Sequence, residues 1–487
     1  MDDLPNELLI HIVDQLRGPT TWSEPADYSR THALAALCCV SKKLYHIARP
    51  LLYESIDLPP TDGFLPQSQR LFARLQEQPS LRFEIKALRQ KTRARLRQDG
   101  DGTMRVRDEY RTDITRDVRA FGLGTEDASA LVGRWLGYED LYFALLAFRT
   151  PNLEHLWARS AVSYDWPLDE CKNTLLEGIG RMAMGVSWLH THRFDNLKIL
   201  YFDFSNSPEM SARCALPLLL LPSLDELTLV ALGGWFQIPE NEFEGEWEGE
   251  SEHEAADDDL TIFGRPWLWP VRSSPITKLS LFKPVFSEIA VKKMILACKA
   301  LERFECSHPL RSSTKDQWFG ALVPALNDHI ESLQNLSLLC RPPRWPSLEN
   351  TRMAQLDPLH EFTNLNSVRV SLNLVSDPGE TLSARNLPAF LPPSITSLHV
   401  HYPREPNDEA DQQLLDVLTA YKDGVLPSLK DVYITWVYYQ RRKEEFDLLE
   451  RLQSLVQIKE QYETSSITFD IMLTIRDDKG KWPLVRG

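Results

Sequence analysis

Leu224-Asp225-Glu226-Leu227-Thr228-Leu229 reads as an apolar residue, two variable positions, a second apolar residue, one variable position and a third. The same phrase returns as Leu153-Leu156-Ala158, Leu197-Leu200-Phe202, Ile276-Leu279-Leu281, Leu301-Phe304-Cys306, Leu333-Leu336-Leu338, Leu365-Val368-Val370, Ile395-Leu398-Val400 and Leu429-Val432-Ile434. The second and third apolar residues stand two apart, so on an extended chain they share one face. First residues of successive copies lie 44, 27, 52, 25, 32, 32, 30 and 34 apart, which predicts a repeat array over 149–475 with a unit of about 30 residues. The 52-residue gap contains the run 240–259, with 11 acidic residues and no Lys or Arg. Removing ~20 residues for that run restores an ordinary unit. Its composition, with Phe243 and Trp247 its only aromatics, predicts a disordered insertion looped out of one repeat.

The phrase resembles that of leucine-rich repeats, and the residues leading into it agree: Pro151-Asn152-Leu153, Asp195-Asn196-Leu197, Pro222-Ser223-Leu224 and Pro427-Ser428-Leu429. The resemblance implies an α/β fold, a solenoid whose curved parallel sheet is closed by helical or irregular returns. The copies are irregular; the Asn that usually follows the strand is matched by Asn373 alone, which points to a degenerate array with long returns. In such an array the residues after the second and third apolar positions face away from the core on the concave strand face. The candidate substrate-binding residues there are Trp157, Arg159, Tyr201, Asp203, Phe282, Glu305, Arg369, His399, His401 and Tyr433, a set rich in the aromatic and Arg side chains that anchor protein interfaces. Helical spacing over 444–458 and alternation at Phe469, Ile471, Leu473 and Ile475 predict a capping helix and strand, with 476–487 as a tail.

The opening of the chain has a different period. Apolar residues at Leu8, Leu9, Ile12, Val13 and Leu16 predict a helix with Pro5 at its first turn. After a polar connector, Leu34, Leu37, Val40, Leu44, Ile47, Ala48, Leu51 and Leu52 predict two further short helices broken at Pro50. In order, Leu4-Pro5, Glu7-Leu8-Leu9, Ile12, then Leu34, Leu37, Val40-Ser41, Lys42-Lys43-Leu44 and Tyr53 resemble the F-box motif, with a long connector over 17–32 and Tyr53 where many members carry Trp. The resemblance covers 1–58. It implies docking onto the Skp-type adaptor of a cullin-RING ubiquitin ligase, with Leu4, Pro5, Leu8, Ile12, Leu37, Val40 and Leu44 as anchors in an apolar groove. Residues 59–148 are read as a helical linker with worn first repeats: 68–75 and 81–97 look helical, and 81–88 is also legible as an early repeat.

Composition sets the remaining bounds. The chain has 487 residues, 54 Lys and Arg against 69 Asp and Glu, and a formal charge of -15, of which the acidic run supplies 11 units. No basic surface of the kind that tracks phosphates follows from this, so no nucleic acid is expected as partner. Seven scattered cysteines without a C-x-x-C pair argue against a disulfide framework. An acidic, spaced N-terminus argues against a signal peptide, and no apolar run reaches the ~20 residues of a membrane span. The expected location is cytoplasmic or nuclear, without membrane contact. His190-x-His192 and His399-x-His401 lack further ligands at metal-site spacing, so no metal or cofactor is expected. With no nucleophile elbow, phosphate loop or zincin helix, no catalytic residue is assigned. The sequence is therefore read as a non-catalytic substrate receptor of a Skp-cullin-F-box ligase, partnered by the adaptor, through it the cullin, and a protein substrate. The alternative is a leucine-rich-repeat scaffold that binds a partner without its turnover.

Overall fold

A computed structural model describes residues 4–16, 28–58, 66–90, 115–116, 118–119, 140–159, 174–186, 192–203, 212–230, 261–282, 288–309, 322–341, 358–372, 387–402, 408–439, 445–476 and 484–486. The acidic run 240–259, Asn373, His190 and the connector 17–27 lie outside them. The chain divides into two compact units, 1–237 with 262–264 and 238–261 with 265–487.

The first unit opens with three helices, α1 (Asn6–Asp14), α2 (Tyr28–Val40) and α3 (Lys42–Glu54). Leu9 and Val13 of α1, Leu34 of α2, and Leu44 and Ala48 of α3 form their common core, with Leu4, Leu16, Leu37, Ile47, Leu51 and Leu52 packed around it. The break between α2 and α3 falls at Ser41, not at Pro50. Ser41 is extended (φ -155°, ψ 160°) and its hydroxyl accepts the Leu44 amide at 3.2 Å, an N-cap that satisfies one of the helix's unpaired N–H groups. Pro50 costs a single intrahelical bond in an exposed turn while Ala48, Leu51 and Leu52 stay packed, so α3 runs through it.

α3 passes directly into β1 (Ser55–Leu58), so the sheet begins inside the stretch expected to be purely helical. There follow α4 (Pro66–Glu77), a 3-10 turn (Pro79–Phe83), β2 (Ala87–Gln90), α5 (Asp140–Arg149), β3 (His155–Arg159), α6 (Thr174–Ala183), β4 (Ile199–Asp203), a 3-10 helix (Ala212–Leu220) and β5 (Glu226–Val230). Strands β1 to β5 pair in chain order, every pair parallel. The helix expected over 81–97 is corrected within its described part: Leu81 lies in a 3-10 turn and 87–90 is a strand, with Leu88 opposite Leu156. Behind the strands α4 packs on α5, α5 on α6, and α6 on the 3-10 helix.

The second unit repeats this scheme. β6 (Lys278–Phe282), α7 (Glu288–Ala297), β7 (Arg303–Pro309), α8 (Val323–Leu326), β8 (Asn335–Arg341), β9 (Ser367–Ser371), α9 (Leu387–Phe390), β10 (Ser397–Tyr402), α10 (Asp408–Lys422), β11 (Asp431–Tyr439), α11 (Glu445–Glu463) and β12 (Thr468–Arg476) follow one another. All seven strands pair in parallel and in chain order; β13 (Leu484–Arg486) then pairs antiparallel with 472–474. The expected terminal helix and strand are α11 and β12, and α10 packs on α11.

The fold is thus mixed α/β with parallel strands in both units, and the recurring phrase specifies β3 to β11. None of its 27 apolar side chains is more than 3% exposed. Register pairs phrase with phrase: Leu156, Leu200 and Leu227 stand opposite one another, as do Leu279, Phe304, Leu336, Val368, Leu398 and Val432. One backbone contact recurs at successive strand entrances. The carbonyl one residue after the first apolar position accepts two successive amides of the next strand: Lys86 O from Glu154 and His155, Glu154 O from Lys198 and Ile199, Glu302 O from Gln334 and Asn335, Gln334 O from Asn366 and Ser367. The residue just before the phrase ties successive repeats, as Asn152 donates to Phe83 O at 2.8 Å, Asn364 to Glu331 O at 2.6 Å and Ser394 to Leu365 O at 2.8 Å. These small polar residues precede the phrase, whereas the familiar pattern looks for an Asn after the strand.

Two histidines work in the same way. His192 Nε2 donates to Ala147 O at 2.9 Å while Nδ1 accepts the Phe194 amide at 3.1 Å. In the other unit His329 Nε2 donates to Ile295 O at 3.0 Å and Nδ1 accepts the Leu301 amide at 3.2 Å. A carbonyl can only accept and an amide only donate, so both rings are fixed as the neutral Nε2–H tautomer.

Candidate interaction surfaces

Helix α1 separates its apolar residues into two stripes. Leu9 and Val13 point into the helical core, and Leu8 and Ile12, each one position earlier, lie on the outer side at 51% and 54% exposure. Ile10 and, at the end of α2, Val40 are also exposed, Val40 at 62%. Of the seven expected adaptor anchors, Leu8, Ile12, Val40 and Pro5 are therefore open to solvent, and Leu4 and Leu37 are half-buried at the edge of the core. Leu44 is corrected: at 2% exposure it is part of the internal packing, because its position on α3 faces Leu9 and Leu34. Lys43 beside it donates to the Leu4 carbonyl, which ties the start of α1 to α3.

On the strand face turned away from the phrase, the first unit builds a row across three strands. Register sets Arg89 opposite Trp157 and Trp157 opposite Tyr201. The Trp157 and Tyr201 rings stack with centroids 3.8 Å apart and 26° between planes, and the Arg89 guanidinium lies 4.5 Å from the Trp157 ring centre. Such a stack gains about 0.5–1.5 kcal/mol beyond its buried area and makes a flat, pre-ordered surface. Arg159 pairs in register with Asp203, and its side chain lies outside the described part of the chain. Asp203 is corrected as a contact residue: it is on the expected face but buried. Arg89 belongs to this row although it is not among the residues expected on the strand face. The signal was present in Ile85-x-x-Leu88, which fits the phrase and makes Arg89 the counterpart of Trp157.

The second unit carries a longer row. Glu305, Ser337, Arg369, His399 and Tyr433 stand opposite one another on β7 to β11, with Ser371, His401 and Thr435 in the parallel row two residues on. Arg369 and Tyr433 are exposed, Glu305, Phe282 and His399 half-buried. His401 is corrected, since it is buried with Ser371 and Thr435; Ser371 Oγ lies 3.4 Å from His401 Nδ1 and donates to, and accepts from, the Cys340 backbone. His399 Nε2 is hydrogen-bonded to Thr435 Oγ1. Burial pulls the His399 pKa down to about 3, and the charge of Arg369 and the neighbouring His401 add to the shift. The ring is therefore neutral at physiological pH and acts as a hydrogen-bonding element of the face, not as a cation.

Among the described residues no group of three or more His, Cys, Asp and Glu is arranged to hold a metal ion. Among them, too, no helix is long and apolar enough to cross a membrane. Cys38, Cys39, Cys298, Cys306 and Cys340 form no disulfide, and burial alone pushes Cys298 up to about 12, which leaves it protonated and inert as a nucleophile. Comparison of the chain with protein-family models, with curated proteins and with solved structures yields no match.

Proposed function

We propose that the chain is a substrate receptor: the opening helices engage the Skp-type adaptor of a cullin-RING ubiquitin ligase in the manner of an F-box, and the strands behind them, as a leucine-rich-repeat solenoid, hold a protein substrate. One observation carries this reading. In a module whose neighbouring apolar positions Leu9, Val13, Leu34 and Leu44 are packed, Leu8, Ile12 and Val40 remain solvent-facing. An apolar side chain on a small helical unit that is not used for its own core is what a helix-in-groove contact requires. The second support is the Arg89–Trp157–Tyr201 stack, whose residue types are those of interface anchors. In this reading the chain supplies no reacting group; it raises the local concentration of substrate lysines near a transfer centre on other subunits.

Co-purification with a Skp-type adaptor tests the first half. Leu8→Asp with Ile12→Asp changes only exposed positions, so the variant folds with an unchanged unfolding midpoint and loses the adaptor. Leu9→Asp buries a charge and loses both fold and adaptor. Recovery of the adaptor by the double variant at the wild-type level removes the ligase reading. For the second half, proteins captured by the full chain are identified and their lifetimes followed in cells expressing the double variant. Lengthened lifetimes support a receptor, and unchanged ones leave a scaffold. Tyr201→Ala with Arg369→Glu reduces capture while adaptor recovery stays constant; undiminished capture moves the substrate surface off the strand faces.

A further inference from the structure

The two most exposed large apolar side chains among the described residues belong to neither surface above. They are Leu268 and Val271, 80% and 74% exposed, in the segment Trp267-Leu268-Trp269-Pro270-Val271. That segment is held firmly. Trp267 is buried, and its ring meets Trp269 edge-on at 5.9 Å. Just beyond it the backbone caps the end of α7: the Arg272 amide donates to Leu296 O, the Ser273 and Ser274 amides to Ala297 O, each at 3.0 Å, and Ser274 O accepts the Lys299 amide at 2.9 Å. The chain turns at Arg272 in the left-handed region (φ 47°), and Val271, just before the capping residues, faces solvent. The two aliphatic side chains are thus presented outward from a braced loop.

The surroundings are cationic. Lys293 Nζ lies 5.3 Å from the Trp269 ring centre, and Ile289, Lys292 and Lys293 share one side of α7 at the i, i+3 and i+4 positions, with Ile289 itself exposed. Arg272 reaches Asp328 at 3.3 Å. The described residues 261–282 and 288–299 hold six Lys and Arg against Glu288, to which the Asp328 partner of Arg272 adds one carboxylate, in a chain whose overall charge is -15. A charge excess of this sign around outward-facing Leu and Val selects one chemistry in a partner: apolar side chains spaced among carboxylates.

We propose that the Trp267–Val271 loop and the Ile289–Lys293 side of α7 form a docking surface for an acidic amphipathic segment of a partner protein. Leu268, Val271 and Ile289 receive its apolar side chains, and Lys292 and Lys293 its carboxylates. The surface lies outside the adaptor and strand-face contacts, so it stands or falls independently of the proposed function.

The test uses the full chain and three fluorescent 16-residue peptides followed by anisotropy: one alternating Glu and Asp with Leu and Phe, one with Ser in place of Leu and Phe, and one with Lys in place of the acids. The first peptide binds at least tenfold tighter than either control, and raising NaCl from 50 to 500 mM weakens it at least tenfold. Leu268→Ser with Val271→Ser, and separately Lys292→Glu with Lys293→Glu, each reduce its affinity at least tenfold while leaving the unfolding midpoint unchanged. Equal binding of the three peptides, or indifference to both pairs of substitutions, overturns the proposal. Two further results overturn it in favour of another occupant. If deletion of 240–259 raises peptide affinity tenfold, the chain's own acidic run covers the surface. If sedimentation shows a dimer that Leu268→Ser with Val271→Ser dissolves, a second copy does.

Discussion

His329 donates from one ring nitrogen and accepts at the other, and His192 repeats the arrangement in its own unit. Burial lowers both pKa values below the ordinary ~6.5, against the opposing pull of the carbonyls they serve. A proton added at Nδ1 would set one donor against another, so the folded state holds the neutral ring. The unfolded chain then binds more protons between the two pKa values, and stability rises with pH there. This contribution is complete above about pH 6.5 and is lost as pH falls through the depressed folded values. Urea midpoints measured from pH 7.5 to 5 should decline accordingly. His329→Ala should flatten that decline and lower stability at pH 7.5 by about 2–4 kcal/mol, because the Leu301 amide and Ile295 carbonyl lose their partners. An unchanged slope would assign the acid sensitivity elsewhere. The sequence offered His192 only as half of a His-x-His pair; its true partners are the Ala147 carbonyl, 45 residues away, and the Phe194 amide two residues on, and no side-chain pattern announces those.

Individual elements obey the sequence where side-chain period decides and depart from it where a cap or a neighbour does. The apolar phrase alone specifies strands β3 to β11, since only an extended chain puts its second and third residues on one face. The break of the second apolar stretch, expected at Pro50, falls at Ser41 because the Ser41 hydroxyl repairs a helix start that proline would merely interrupt. Ser41→Ala should cost about 1 kcal/mol and raise amide exchange in the first turn of α3. Residues 81–90 carry both periods at once, and the choice of strand for 87–90 comes from flanking strands that accept and donate its hydrogen bonds. Leu44 illustrates the limit for the candidate site. Helical spacing puts it on an apolar stripe but does not say whether that stripe meets a partner or Leu9. Leu44→Ala should destabilise by about 2–5 kcal/mol, and Leu8→Ala by less than about 0.5 kcal/mol, measured by denaturant unfolding.

At the scale of each unit, the strands among the described residues pair in parallel with the one before and the one after in chain order, so neighbouring strands support one another. The strand entrances of the first unit add an electrostatic thread: Glu54 to Lys86 at 2.8 Å and Glu154 to Lys198 at 2.7 Å, alternating in sign along one edge. The hydrogen bond from Lys198, with Lys86 and His155 nearby, holds the Glu154 carboxyl below its usual range. Its contribution is therefore present above about pH 4.3 and disappears as pH falls through the folded value. Both side chains are partly solvated, so the pair is worth at most about 1 kcal/mol, and Lys198→Ala should produce a loss of that size that 1 M NaCl largely erases. Spacing of the phrase made the order of strands legible. The depth of Asp203 and His401 was not, because the apolar phrase reports only on the core face of each strand.

The junction at Glu54 and Ser55 has a mechanical meaning. Helix α3 becomes strand β1 without an intervening residue, and the joint is braced by the Lys86 amide on Glu54 O at 2.9 Å, by the Lys86–Glu54 ion pair and by Arg49 to Glu84 at 3.6 Å. The helices are thus not a bead on a tether; they form a handle joined directly, through these contacts, to the blade of the first unit's sheet. Whatever grips the handle fixes the bearing of anything lying across Trp157 and Tyr201. Two glycines inserted between Glu54 and Ser55 would turn that fixed aim into a loose swing without touching either grip.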